Sequence, residues 1–199
     1  MNPNLIYTNP YSISKQLCDE IIHLYESENR HYSGVTASGL NKNIKDTTDM
    51  IIPRDNSWIK IYDFLANELK HNLKLYFDGL DNGKMQNENS PNKFNIFHNA
   101  ETITHTFMMQ RYIKQVGRYI YHNDAQIDWS NRQYRIVTFL WYLNNVEEGG
   151  ETEIWGIHKI KPEAGKLLLF PACWTFPHTG KMPISDNKYI ITGWVYLKE

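Results

Sequence analysis

The sequence predicts an α+β fold in which two helices come first and a β-sandwich or barrel follows. Apolar residues recur at the helical period in two runs of the N-terminal half. After Ile103 the texture changes to short β-branched and aromatic runs, separated by Gly, Pro and Asn. Strands that follow helices, without alternating with them, belong to the α+β class and not to a parallel α/β sheet. The 199 residues can bury a full core without disulfide staples, and no internal repeat divides them. One domain over 1–199 is expected, with a helical buttress over about 12–80 and a β core over about 103–197.

Residues 1–11 are polar and contain Pro, which reads as an extended lead-in. Ser14 can cap a helix carrying Leu17, Ile21, Ile22, Leu24 and Tyr25 at helical spacing, ending by Asn29 or Arg30. From His31 to Asp55 the pattern dissolves into Gly, Ser, Thr, Asn and Lys. A stretch of that length is either a surface loop or a lid, and 34–49 is the part placed to cover a site. Ile59, Ile61, Tyr62, Leu65, Leu69, Leu73 and Tyr76 then form the stripe of a second helix over 57–77. Asp78-Gly79 and Asp81-Asn82-Gly83 break it, and 84–101 reads as loop with a short strand. Residues 104–113 alternate, with Thr104, Thr106, Met108 and Gln110 on one side and His105, Phe107, Met109 and Arg111 on the other. Further strands are expected at 118–122, 134–144, 151–155, 166–170 and 189–197.

Composition removes several classes. Hydrophobic residues at 41% and aromatics at 14% exclude general disorder. A net charge of −1 without a basic stripe gives no reason to expect a nucleic-acid partner, and Arg132 with Arg135 reads as a solvated strand end. Cys18 and Cys173 are far apart and form no disulfide framework, which favours a reducing compartment. The N-terminus lacks the basic and apolar regions of a signal peptide, and no apolar run is long enough to span a bilayer. The expectation is a cytoplasmic protein with no membrane partner.

The chemistry gathers between Gly117 and Trp194. In a strand, residues i and i+2 share a face, so His122 and Asp124 can converge on one point. One imidazole and one carboxylate supply two metal ligands, and a second imidazole from a neighbouring strand would complete the facial triad suited to non-haem iron(II). Seven other histidines are available. His23 and His71 fall on expected helices, His31 and His98 in irregular segments, His105 ahead of the barrel core and His158 in an exposed strand or turn. His178 differs in following the apolar run LLLFPACWTFP and preceding a polar turn. Lys188 opens the last strand, where its stem can lie over apolar neighbours and its ammonium can enter the barrel. Buried there it needs an anionic partner, such as a dicarboxylate.

Five segments in order, QRYIKQVGRYIYHND, TFLWYLNNVEEGGET, KPEAGKLLLFP, PHTG and NKYIITGWV, resemble the 2-oxoglutarate- and iron(II)-dependent dioxygenases of the prolyl 4-hydroxylase-like type. The resemblance runs from about Ser12 onward, and its specific motifs follow Gln110. It implies a double-stranded β-helix (jelly-roll, cupin-like) barrel buttressed by the N-terminal helices. It implies His122, Asp124 and His178 as the catalytic iron ligands and Lys188 as the partner of the distal 2-oxoglutarate carboxylate. Tyr112 matches a tyrosine that hydrogen-bonds the same co-substrate, Thr152 is placed to do likewise, and Trp194 matches an aromatic position beside the pocket.

The reaction so implied consumes O2 and 2-oxoglutarate, releases succinate and carbon dioxide, and hydroxylates an aliphatic C–H, with ascorbate among the family's accessory reductants. The substrate so implied is a peptidyl or free amino acid, with proline first. Asp124 favours hydroxylation, because related halogenases lack this carboxylate. Nucleic-acid demethylation by the same chemistry typically uses an arginine pair after the distal histidine, where this chain offers Lys188. A non-catalytic β-barrel that binds a ligand or partner is the reading from a different class, and the triad with a correctly spaced Lys188 argues against it. Arg118, Trp141 and Trp155 are further residues that either border the pocket or serve as barrel surface or core.

Overall fold

In chain order the elements are β1 (Tyr7–Asn9), α1 (Lys15–Ser27), β2 (Tyr32–Ser33), β3 (Lys45–Asp46), β4 (Thr48–Ile51), α2 (Ile59–Asp81), β5 (Thr102–Thr104), β6 (Met108–Tyr112), β7 (Arg118–His122), β8 (Ile127–Asp128), β9 (Gln133–Tyr142), β10 (Thr152–Ile154), β11 (His158–Ile160), β12 (Leu167–Pro171), β13 (His178–Gly180) and β14 (Lys188–Lys198). The computed structural model describes residues 5–81 and 102–198. The expectations for Asn82, Gly83, the 84–101 segment and His98 lie outside the described residues.

The strands form a jelly-roll-like sandwich of two antiparallel sheets. The major sheet runs β1-β12-β9-β14-β6-β4-β2, with β5 added on β14 and β8 on β9; the minor sheet runs β11-β10-β13-β7-β3. Alternation along the major sheet explains the layers. Val137, Phe139 and Trp141 of β9, Leu167 and Leu169 of β12, Met109 of β6 and Ile191 of β14 face one core, shared with Ile21 and Tyr25 of α1 and Leu65 and Leu69 of α2. The intervening Leu140, Tyr142, Leu168, Phe170, Tyr112 and Ile190 face a second core, with Ile154 and Ile160 of the minor sheet. A sheet covered on both faces reads as a near-continuous apolar run, as in the IVTFLWY of β9.

The first helix is capped as expected: the Ser14 side chain accepts from Leu17 N, and the helix ends at Ser27 with Glu28 as C-cap. The second differs. It continues through Asp78-Gly79 to Asp81, because Tyr76 anchors this turn by packing into the core and donating its hydroxyl to Leu5 O. A helical Gly costs only about 1 kcal/mol relative to Ala. The lead-in contains a strand, since Tyr7–Asn9 pairs with β12 and both Tyr7 and Asn9 donate to the buried Asn72 Oδ1 of α2. The 104–113 run is interrupted: β5 and β6 both pair with β14, and residues 105–107 between them are not strand. The expected 31–55 loop contains β2, β3 and β4; β2 and β4 extend the major sheet, and β3 pairs with β7 as the edge strand of the minor sheet.

Candidate active site

The two candidate histidines meet because β7 and β13 are antiparallel neighbours with His178 directly opposite His122. Asp124 lies just past the end of β7. The ligand atoms of His122, Asp124 and His178 all lie within 4.8 Å of one another, and among the described residues no other His, Cys, Asp or Glu cluster can hold a metal ion. His178 Nε2 is 3.4 Å from Asp124 Oδ2, and His122 Nε2 is 3.8 Å from Oδ1. Each Nδ1 contacts a backbone carbonyl, His122 that of Ile120 at 2.8 Å and His178 that of Phe176 at 3.0 Å. A carbonyl only accepts, so both Nδ1 atoms carry the proton and both Nε2 lone pairs are left for a metal.

Packing fixes the rings. Tyr119 stacks on His122 with centroids 3.5 Å apart, and Phe170 meets His178 edge-on at 4.7 Å. Burial, and then the neighbouring His178, lowers the His122 pKa to about 4, so its imidazole is neutral at ordinary pH. Burial pushes the Asp124 carboxyl up, but both imidazoles and the Thr138 hydroxyl, which donates to Oδ2 at 2.8 Å, hold it below its usual value. The Trp194 indole also favours the carboxylate, although its N–H is buried without an acceptor in hydrogen-bonding geometry.

The triad opens into a cavity of about 480 Å³ between the two sheets. Lys188, the first residue of β14, is buried at its far wall. Its ammonium donates to Gly150 O at 2.9 Å and lies 4.2 Å from the Tyr112 ring centroid. No carboxylate forms an ion pair with it among the described residues; burial lowers its pKa to about 7, with Glu151 pulling the other way. The Tyr112 hydroxyl donates to Gln110 Oε1 at 3.2 Å, and the Thr152 hydroxyl accepts from Tyr142 at 2.7 Å. A Cβ at Gly180 would stand 3.1 Å from the Tyr112 hydroxyl, so glycine keeps this corner open. Two imidazoles and a carboxylate fit iron(II), and a buried cation without a counter-ion fits the far carboxylate of 2-oxoglutarate.

All seven residues named from the sequence, His122, Asp124, His178, Lys188, Tyr112, Thr152 and Trp194, line this one cavity. Arg135 corrects the reading of a solvated strand end. Its guanidinium lies 3.5 Å from the Trp194 ring centroid and it lines the cavity, because the stacking holds it inward. Arg118, Trp141 and Trp155 do not line it. Trp141 is buried in the helix-side core, with its indole donating to Ser12 Oγ. Sequence reasoning missed Tyr119, Lys45 and the role of Gln110. The last was visible in the alternation that places Gln110 on the Tyr112 side; Lys45 carried no signal, because its strand lay in an apparent loop. Part of that loop, Val35, Thr36 and Ala37, lines the cavity as well.

Residues 107–196 match the family model described as the 2OG-Fe(II) oxygenase superfamily. No curated protein matches the sequence. Among solved structures the chain is similar to a viral collagen prolyl hydroxylase from Paramecium bursaria Chlorella virus-1 in its 2OG complex, at 18% identity and TM-score 0.66, covering 96% of each chain. It is similar to a Pseudomonas putida prolyl-4-hydroxylase at 18% identity and TM-score 0.67, covering 98% of this chain and 93% of that one. A Trichoplax adhaerens prolyl hydroxylase in complex with a hypoxia inducible factor peptide fragment is similar at 20% identity and TM-score 0.71, covering 98% and 84%. The matched model spans the triad, Lys188 and the strands that hold them, so residues 107–196 carry a 2OG-Fe(II) oxygenase domain, of a superfamily that uses iron(II) and 2-oxoglutarate.

Proposed function

We propose that this oxygenase hydroxylates prolyl residues in a peptide or protein. The observation that carries the site assignment is a single cavity with His122, Asp124 and His178 on one wall and the uncompensated Lys188 ammonium on another. His122 and His178 would hold iron through Nε2, each ring fixed by its Nδ1 hydrogen bond. Asp124 would supply the third ligand, oriented by Thr138, and its presence suits hydroxylation. Lys188 would pair with the distal carboxylate of 2-oxoglutarate, with the hydroxyls of Tyr112 and Thr152 as neighbouring hydrogen-bond partners. Bound together, iron(II), 2-oxoglutarate and O2 convert a C–H to C–OH while 2-oxoglutarate becomes succinate and carbon dioxide. Leu140, Phe170 and Ile190 give the cavity apolar walls that exclude water from this chemistry.

The substrate class is supported by the three solved structures named above, each a prolyl hydroxylase and one in complex with a peptide fragment. Residues 35–37 at the cavity suit a lid over an extended chain. Residues 1–199 are read as one domain, since α1 and α2 share the core of the major sheet. A reducing, cytoplasmic setting is supported by the free Cys18 and Cys173; no described helix is long and apolar enough to cross a membrane.

The deciding experiment is an anaerobic titration of the protein with iron(II) and 2-oxoglutarate, read by the weak visible band of the chelate. It is followed by oxygen, a succinate assay, and mass spectrometry of proline-containing peptides for gain of one oxygen atom. The band should vanish in His178→Ala and weaken in Lys188→Ala. A folded protein giving neither band nor succinate would overturn the site assignment, and succinate release with no peptide modified would overturn the substrate class.

A further inference from the structure

The Tyr112 hydroxyl is held by more than its own strand. It donates to Gln110 Oε1, two residues earlier on the same face of β6. The Gln110 amide nitrogen points the other way, with Met108 Sδ at 3.3 Å and Asp49 Oδ2 at 3.5 Å. Asp49 is buried and receives the Lys45 ammonium on Oδ2 and the Thr47 hydroxyl on Oδ1, both at 2.6 Å. Lys45 and Thr47 donate to Asp49, so it acts as an acceptor toward Gln110 as well. Turning the amide over would set its carbonyl against a carboxylate and a thioether, neither of which donates. The ion pair therefore fixes the amide, and the fixed amide presents a carbonyl to Tyr112.

A phenol has one proton. To bind a carboxylate, Tyr112 must direct that proton into the cavity, and its oxygen then faces the Gln110 carbonyl with no hydrogen between them. We propose that Gln110, oriented by the Lys45–Asp49 pair, is a positioning residue that competes with 2-oxoglutarate for the Tyr112 proton and so lowers the affinity for the co-substrate. This rests on the assignment of Tyr112 to the 2-oxoglutarate site. It also ties that site to the loop over the cavity, since Gly34, where that loop begins, packs against Thr47, Lys45 and Asp49.

The test is the affinity of the iron(II)-loaded protein for 2-oxoglutarate without oxygen, in a double-mutant cycle. Gln110→Met keeps the length of the side chain and removes its carbonyl. It should bind 2-oxoglutarate roughly three- to tenfold more tightly, the factor a neutral hydrogen bond is worth. Tyr112→Phe should bind more weakly than the unmodified protein, and Gln110→Met should bring no gain in the Tyr112→Phe background. Unchanged or weaker binding by a Gln110→Met protein with an unaltered thermal midpoint would overturn the proposal, as would an equal gain in both backgrounds. If Gln110→Met does not fold, Gln110→Leu carries the same expectation. Absence of 2-oxoglutarate binding by the unmodified protein would instead remove the site assignment itself, and this inference with it.

Discussion

Lys188 shows how one residue links the site to the stability of the fold. Its value near 7 lies below the ordinary 10.5, so between these the unfolded chain binds more protons than the folded one. Stability of the ligand-free protein should therefore rise with pH across that window, and below about 7 the fold should carry the full cost of a buried, uncompensated ammonium. Lys188→Met should raise ligand-free stability near pH 6 by about 1–4 kcal/mol, measured by urea unfolding. The ligand reverses the sign. A carboxylate beside Lys188 restores the proton, so binding near pH 8 should take one up, and affinity should fall as pH rises above about 7. Calorimetry in two buffers of different ionisation heat reads that uptake. An uptake unchanged in Lys188→Met would assign the proton to another group.

Between residues and the whole, the short elements decide what the sequence reveals. Ser14 was legible because a cap and an apolar stripe reinforce each other, and Ser14→Ala should cost about 1 kcal/mol in urea unfolding. Strands β9 and β12 were legible because burial on both faces leaves continuous apolar runs. β13 was not: His178-Thr179-Gly180 reads as a polar turn, and it is a buried strand only because β10 and β7 flank it and Thr179 donates to Tyr119 O. β3 and β4 were hidden for the same reason, Lys45 of β3, Asp49 of β4 and Thr47 between them being satisfied by one another. Gly34 tests that packing. A Cβ there would lie 2.1 Å from Thr47 Oγ1, so Gly34→Ala should displace the loop and destabilise the fold by about 1–3 kcal/mol. A folding midpoint equal to that of the unmodified protein would show that the loop does not rest on this cluster.

At the scale of the molecule, the sandwich divides the work of the site between its sheets. The triad stands on the minor sheet, at β7 and β13, whereas Lys188 and Tyr112 sit opposite each other in register on β14 and β6 of the major sheet. That division was invisible to a reading along the chain, which found the motifs but not which sheet would hold them. On the proposed site assignment, iron and 2-oxoglutarate would together clamp the two layers. A ligand at a hundred times its dissociation constant stabilises by about 2.7 kcal/mol, or roughly 5–11 °C in Tm for a chain of this length. Without oxygen, iron(II) should raise Tm, and 2-oxoglutarate should add a second increment only when iron is present. Chelation should reverse both. Asp124→Ala should lose both increments, because the metal ligands come first. Lys188→Met should keep the iron increment and lose most of the second. A full 2-oxoglutarate increment in Asp124→Ala would mean that the co-substrate binds to the major sheet alone, and the clamp across the sandwich would have to be abandoned.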